Sequence, residues 1–397
     1  MLDRSEPDAT PRTADLIARA KRVATVAAAH ADAVDRDARF PREAVEAMRE
    51  ERLLGIMIPA HLGGEGADFA EIAQICTTLG AACSASGMVY AMHQIKASSL
   101  VHHGLDSDWH RTFMQKVAEK QLLLGSATTE AGIGGDLRNS ICSIVPDGDQ
   151  VRIEKDATVI SYGLDADAIL ATARRAPDAA SSDQVMVVIE KHQASLEQTS
   201  TWDTLGMRGT TSHGFKLAAT VPAEQVFPKP FAEIAAQSML ASSHLFWAAL
   251  WFGIAGSALS KAQASVRQAA RRMPNAVPPG AARLAAAAAE LAGLKTLVRD
   301  GIARFEAARH DDAAINSMAF AVAMNAVKVE ASRRAVSLVQ EALTIVGIQG
   351  YKNANPFSIG RQLRDILSAP LMIANDRILS NTATMLLMSR LDTDLED

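Results

Sequence analysis

"GSATTEAGIGGD", residues 125–136, marks the point at which the chain changes character. Before it, apolar residues recur at spacings of three and four, which predicts helices. After it, short runs rich in β-branched residues alternate with turn signals, which predicts strands. The segment carries Ser126, Thr128 and Thr129 and a run of glycines that lets another molecule come close to the backbone. It is therefore the first candidate for a binding site.

The composition predicts a globular protein. Hydrophobic residues make up 48% of the 397 positions and charged residues 21%. The net charge of -5 argues against a nucleic-acid partner. Three cysteines do not make a disulfide framework, so a reducing, cytoplasmic location is expected. The first residues contain no apolar segment of the kind found in secretory signals.

Two further absences narrow the function. The ten histidines lack the spacing of metal ligands, so no metal site is expected. The most apolar run, residues 245–259, is too short to cross a bilayer alone and is interpreted as a buried core helix. No membrane partner is therefore expected.

The order of patterns predicts three domains. Residues 12–124 are expected to form a helical domain, residues 125–231 a β domain and residues 232–397 a helical bundle. "PDGD", residues 146–149, lies between two alternating runs and predicts a hairpin. The fold class is therefore α+β.

Several motifs in this order resemble the acyl-CoA dehydrogenase superfamily, and the resemblance covers nearly the whole chain. They are "FPREAVEAMREERLLGIMIPAHLGGEG" (40–66), "TTEAGIGGD" (128–136), "TVISYG" (158–163), "LGMRGTTS" (205–212), "GIAGSAL" (253–259) and "IVGIQGY…RQLRDI" (345–366). The resemblance implies an N-terminal helical domain, a middle β-barrel domain and a C-terminal four-helix bundle. It also implies FAD as the cofactor, bound in a site that a second subunit completes.

The resemblance assigns cofactor contacts to individual residues. Within one subunit they are Ser126, Thr128, Thr129, Gly135, Val159, Ile160, Ser161 and Asn375. Thr129 would face the pyrimidine edge of the flavin and Ser161 its N5, with Val159 and Ile160 against the ring. Arg271, Ile345, Gly347 and Gly350 would reach the cofactor of a neighbouring subunit in a homotetramer or homodimer.

The sequence departs from the family at the catalytic base. The family's glutamate lies either in a loop near the C-terminus, where this chain has Ile373, or on a helix, where it has Ser243 followed by His244. Asp376 is one candidate for the missing base, although a cap at the start of the last helix, by Asn375 or Asp376, explains these residues as well. His244 is the other candidate, and a structural role in the core is its alternative.

Three functions remain open from the sequence. The first is oxidation of an acyl thioester, such as an acyl-CoA, or of a related small carbon acid, with an electron-accepting flavoprotein as partner. The second is oxygen-dependent hydroxylation with reduced flavin supplied by a reductase. The third is a non-catalytic subunit that binds a flavin or an acyl group. The missing glutamate disfavours the usual form of the first function.

Overall fold

The computed structural model of the protein describes residues 11–134, 136–272, 276–391 and residue 393. The part that precedes the sheets forms five helices, counted over these residues: α1 (Pro11–Arg36), α2 (Arg42–Glu50), α3 (Phe69–Ala82), α4 (Ser84–His103) and α5 (Asp108–Lys120). The part that follows them forms α6 (Phe231–Ile234), α7 (Leu240–Arg272), α8 (Ala281–Ala308), α9 (Asp312–Ile315), α10 (Met318–Val346), α11 (Ile348–Tyr351), α12 (Gly360–Ile366) and α13 (Asn375–Leu386).

Between these helical parts lie two sheets. Their strands are β1 (Leu124–Ala127), β2 (Ile144–Asp147), β3 (Gln150–Ile160), β4 (Ala168–Arg174), β5 (Gln184–Glu190), β6 (Ala194–Ser200) and β7 (His213–Pro222). One sheet has the order β1-β4-β5, in which β1 and β4 run parallel and β4 and β5 antiparallel. The other has the antiparallel order β2-β3-β7-β6. The succession of helices, sheets and helices confirms the predicted α+β fold.

The predicted hairpin at residues 146–149 is confirmed. Strands β2 and β3 pair antiparallel with Asp147 opposite Gln150. The two residues between them include Gly148, whose φ of +65° lies in the left-handed region that glycine adopts without a steric penalty. This local signal is sufficient to fix the register of the two strands.

Helix α7 is the centre of the C-terminal helical part. It packs against α3, α8 and α10, and its first half is buried on nearly every side. Phe69 of α3 stacks on Phe305 of α8 with ring centroids 4.1 Å apart, and it lies 4.9 Å from Phe246 of α7. These aromatic contacts join the two helical parts into one core.

One continuous helical segment in the described part of the chain, Phe231–Arg272, is long and apolar enough to cross a membrane. It is longer than the apolar run at 245–259 suggested, but 83% of its most apolar window is buried inside the protein. The expectation of a buried core helix agrees with this burial, and the segment is weak evidence for a membrane span.

A loop from the β part is fastened to α12. The Met207 N–H donates to Asp365 Oδ1 at 2.7 Å, and burial raises the pKa of the Asp365 carboxyl above its ordinary value. Next to it, Gly206 lies directly against the backbone of Arg364, because a Cβ added at Gly206 would stand 2.1 Å from the Arg364 carbonyl oxygen. The two motifs "LGMRGTTS" and "RQLRDI" thus meet through main-chain contacts.

We expect Gly206→Ala to destabilise the protein by about 1–3 kcal/mol or more, because the added methyl group must displace backbone atoms. Gly256→Ala is the matched control, since a Cβ at Gly256 in helix α7 would meet no atom within 4 Å. The control should be neutral or stabilising by up to about 1 kcal/mol, since alanine favours helix over glycine. Urea denaturation of both variants measures this, and equal stabilities would contradict the close contact at Gly206.

Candidate active site

A cavity of about 750 Å³ lies where the two sheets meet α4, α7 and the segment that follows α12. One side, here called the hydroxyl wall, presents Ser126, Thr128, Thr129, Ser161, Thr204, Thr210 and Ser212. The other side, here called the helical wall, presents Met88, Met92, Ile95, Lys96, Met239, Leu240, Ser243 and Trp247. Further apolar surface is added by Trp202, Leu367, Leu371, Met372, Ile373 and Ala374. The cavity suits a flat molecule with one polar edge and a second, mainly apolar molecule.

Part of the hydroxyl wall is built by the segment that leads out of β1 and by the end of β3, and the rest by the loop between β6 and β7. The Thr129 hydroxyl donates to the Val159 carbonyl oxygen at 3.1 Å, which ties the two segments together. The hydroxyl oxygens of Ser126 and Thr128 are 3.5 Å apart. The structure therefore brings together Ser126, Thr128, Thr129, Val159 and Ser161 in one cavity, and their assignment to a cofactor stays a prediction.

Three hydroxyls of the wall form a chain with a fixed direction. Thr210 donates its single hydroxyl proton to the Met207 carbonyl at 2.9 Å, so it accepts from Ser212 at 2.8 Å. Ser212 has then used its proton, and Ser161 must donate to Ser212, also at 2.8 Å. Toward the cavity, Ser161 consequently offers lone pairs and no proton.

The remaining predicted cofactor residues lie elsewhere. Ile160 is fully buried in the core, because successive side chains of a strand point to opposite faces and Val159 takes the cavity face. This corrects the expectation that both would contact the ring. Gly135 lies outside the described residues. Arg271, Ile345, Gly347 and Gly350 do not line the cavity, so their predicted role toward a second subunit stays a prediction.

Asn375 acts from behind the cavity. Its side chain is buried and its Oδ1 accepts from Lys328 Nζ at 2.7 Å, while its Nδ2 donates to Ser332 Oγ at 3.0 Å. Lys328 Nζ also donates to the Ile373 carbonyl at 2.7 Å. Burial lowers the pKa of Lys328 to about 8. This network supports the cavity-lining residues 371–374 from beneath.

Neither candidate for the base lines the cavity. Asp376 is exposed in the first turn of α13, and the residue before that helix is Ala374, which makes no side-chain cap. The expected cap by Asn375 or Asp376 is therefore corrected, because Asn375 is engaged with Lys328 and Ser332. His244 is buried on α7, with Nε2 3.3 Å from Asn325 Oδ1 and no partner at Nδ1 among the described residues.

Chemistry-bearing residues that sequence reasoning missed also line the cavity. Lys96 belongs to the helical wall, while Arg364 and Arg377 lie at the end formed by residues 364–377. Among the described lining residues there is no aspartate, glutamate or histidine. Lys96 carried a usable signal, because it is the only Lys, Arg, Asp or Glu between residues 84 and 101.

The comparisons with known proteins agree with this arrangement. Residues 13–132 match the family described as acyl-CoA dehydrogenase, N-terminal domain, and residues 234–381 match acyl-CoA dehydrogenase, C-terminal domain. The chain belongs to the acyl-CoA dehydrogenase superfamily. Together the two matches span most of the chain and leave out the middle β part that carries much of the hydroxyl wall.

Individual superfamily members differ in their chemistry. The chain is 27% identical to cyclohex-1-ene-1-carbonyl-CoA dehydrogenase of Geobacter metallireducens, over 84% of this chain and 86% of that protein. It is 25% identical to the amino sugar nitrososynthase DnmZ of Streptomyces peucetius, over 85% and 84%. Among solved structures, FMN-bound TdsC from Paenibacillus sp. A11-2 superposes with a TM-score of 0.83 at 19% identity, covering 95% of this chain and 98% of TdsC. The chain is an acyl-CoA dehydrogenase-like oxidoreductase.

The burial of His244 makes the stability of the folded protein depend on pH. Burial lowers the pKa of His244 to about 4. Between pH 6.5 and 4 the unfolded chain binds a proton at this position that the folded protein does not, so this group lowers stability as the pH falls through that window. At pH 4 the loss amounts to about 3 kcal/mol.

We expect His244→Leu to lose less stability than the wild type between pH 7 and pH 4. Thermal or urea unfolding at a series of pH values measures this. His61→Gln is the control, because His61 is exposed and its substitution removes an imidazole from the surface and not from the interior. A profile of His244→Leu that runs parallel to the wild type would show that His244 does not stay neutral in the folded protein.

Proposed function

We propose that the cavity binds FAD along the hydroxyl wall and that the protein oxidises an acyl thioester, or a related small carbon acid, held against the helical wall. The observation that carries this proposal is the pairing of the two walls in one cavity: a row of hydroxyls fits the polar edge of a flavin ring, and the apolar surface opposite fits an acyl chain. FAD, when bound, supplies the acceptor for the hydride equivalent.

The residues of the chain itself would bind and orient the flavin and the substrate. Ser126, Thr128 and Thr129 would hydrogen-bond the polar edge of the ring, and Val159 would pack on its face. Met92 and Trp247 of the helical wall exclude water from the bound chain. The likeness to the dehydrogenase of Geobacter metallireducens supports an acyl-CoA as the first class of substrate to test.

A second candidate is oxygen-dependent monooxygenation with flavin that arrives reduced from a separate reductase. Two observations favour it. No carboxylate or imidazole among the described residues lines the cavity, so abstraction of a proton from carbon has no usual base. By the family resemblance Ser161 would face N5, and while its proton is donated to Ser212 its hydroxyl would accept there, which would match a ring nitrogen that already carries a proton. The similar fold of TdsC, a dibenzothiophene monooxygenase from Paenibacillus sp. A11-2, is consistent with the same candidate.

The proposal also includes a second copy of the chain that completes the cofactor site. Arg271 and Gly347 are exposed, and Ile348 and Tyr351 beside Gly347 are 64% and 73% exposed. We propose that this surface, with Ile345 and Gly350, reaches the FAD of a neighbouring copy in a homotetramer or homodimer. A cytoplasmic location and an electron-accepting flavoprotein or reductase complete the proposal.

Anaerobic mixing of the FAD-loaded protein with a panel of acyl-CoAs tests the first candidate. The expected result is loss of the flavin's visible absorption band with at least one acyl-CoA, because oxidation of the substrate reduces the flavin. Ser161→Ala, which removes one hydroxyl of the wall, should weaken flavin binding, and Ser260→Ala is the control because Ser260 is exposed on α7 and outside the cavity.

Absence of bleaching with every acyl-CoA, in protein that holds FAD, would contradict acyl thioester oxidation. Rapid reaction of the chemically reduced flavoprotein with oxygen, followed spectroscopically, would then support the monooxygenase candidate. A protein that holds no flavin after reconstitution would contradict both.

A further inference from the structure

Lys96 of α4 is a buried amine inside the cavity. The residue is only 4% exposed, and α4 around it is buried on nearly all sides. Its Nζ lies 3.4 Å from Met239 Sδ, and Met239 leads into α7 one turn before Ser243. Lys96 therefore reaches into the helical wall, on the side where a substrate would lie, and does not belong to the hydroxyl wall.

Lys96 has far fewer partners than the other buried lysines. Lys155 donates to the Thr172 carbonyl at 2.8 Å and lies 3.5 Å from Glu130 Oε2. Lys328 donates to two oxygens at 2.7 Å. Among the described residues, Lys96 has one thioether sulfur, which is a weak acceptor, for an ammonium group with three protons. Burial alone lowers its pKa to about 8.

The other charges of the cavity do not compensate Lys96. Arg364 forms an ion pair with Asp35, and Arg377 donates to the Gly134 carbonyl. No acidic side chain is found among the described lining residues. A buried cation without a counter-ion is unfavourable, and a ligand that brings a negative charge would remove that penalty.

We propose that Lys96 binds a carboxylate carried by the substrate, at the end of a short apolar chain that the helical wall holds. The substrate class is thus an acid with a free carboxylate besides its reacting part, such as a dicarboxylic acid bound as a thioester at its other end. The inference rests on the proposed function only in taking the cavity as the substrate site. It holds whether or not an acyl-CoA reduces the flavin, and whether or not the reduced flavin reacts with oxygen.

Binding of matched pairs of thioesters tests the proposal. Glutaryl-CoA is compared with pentanoyl-CoA, and adipoyl-CoA with hexanoyl-CoA, so that each pair differs by the terminal carboxylate. Hexanoate compared with hexanol forms a second arm, which detects the carboxylate site without a thioester. Affinities are measured anaerobically on protein whose flavin has been chemically reduced beforehand, so that no hydride acceptor is present, by the fluorescence of Trp202 and Trp247, which line the cavity.

In at least one arm the wild type should bind the carboxylate-bearing member about tenfold to a hundredfold more tightly, since a hydrogen bond to a charged group has this effect on affinity. Lys96→Met should abolish the preference. Its Tm should equal or exceed that of the wild type, because the variant no longer buries an uncompensated amine. Above pH 8, binding of the carboxylate should be accompanied by proton uptake, because the bound anion favours the ammonium form.

Lys261→Met is the matched control, because Lys261 is a part-buried lysine of α7 that donates to the Ser358 carbonyl at 2.7 Å outside the cavity. It should keep the full preference. Equal binding within every pair by the wild type would overturn the proposal. A Lys96→Met variant that loses stability and keeps the preference would do the same, since that result assigns Lys96 a structural role.

Discussion

The hydrogen bond from the Met207 amide to the buried carboxylate of Asp365 connects the two halves of the cavity. A carboxylate in the interior is unfavourable unless it accepts hydrogen bonds, so its partner is held in place strongly. Met207 in turn presents its carbonyl to Thr210 and to the Trp202 indole. The position of Asp365 therefore determines where the loop of residues 202–212 stands, and with it the hydroxyl chain that ends at Ser161.

Part of this site could be predicted from the sequence because its signals are local. The glycines and hydroxyls after β1 are contiguous, and the structure gathers Ser126, Thr128 and Thr129 in one wall. The hairpin at Gly148 was likewise encoded in four residues. Strand β6 has no comparable local signal, because it is an edge strand with mostly exposed residues and thus has no alternating apolar pattern.

The other residues whose surroundings differ from the prediction are placed by tertiary contacts. Asn375 had a good helix-capping pattern, but the buried amine of Lys328, 47 positions earlier in the chain, competes for its side chain. Val159 and Ile160 are both apolar and β-branched, so the sequence does not show which of them faces the cavity. The orientation of β3 places Val159 in the cavity and Ile160 in the core. Lys96 stands out in the sequence as the only Lys, Arg, Asp or Glu between residues 84 and 101, but the sequence does not show that its amine lies in the cavity beside Met239. The surroundings of these side chains depend on which helices and strands pack together. A pattern along the sequence does not contain that information.

The contact between Lys328 and residues 371–375 has a consequence for how this protein can vary. Lys328 Nζ donates to the carbonyl oxygen of Ile373 and to the side chain of Asn375. Asn375 itself does not line the cavity. A carbonyl is present whatever side chain the residue bears. The hydrogen bond from Lys328 to residue 373 therefore does not depend on the side chain at that position, so a glutamate in place of Ile373 would leave this acceptor for Lys328 in place. The candidate site can thus change the side chain at residue 373 while Lys328 still anchors the segment that carries it.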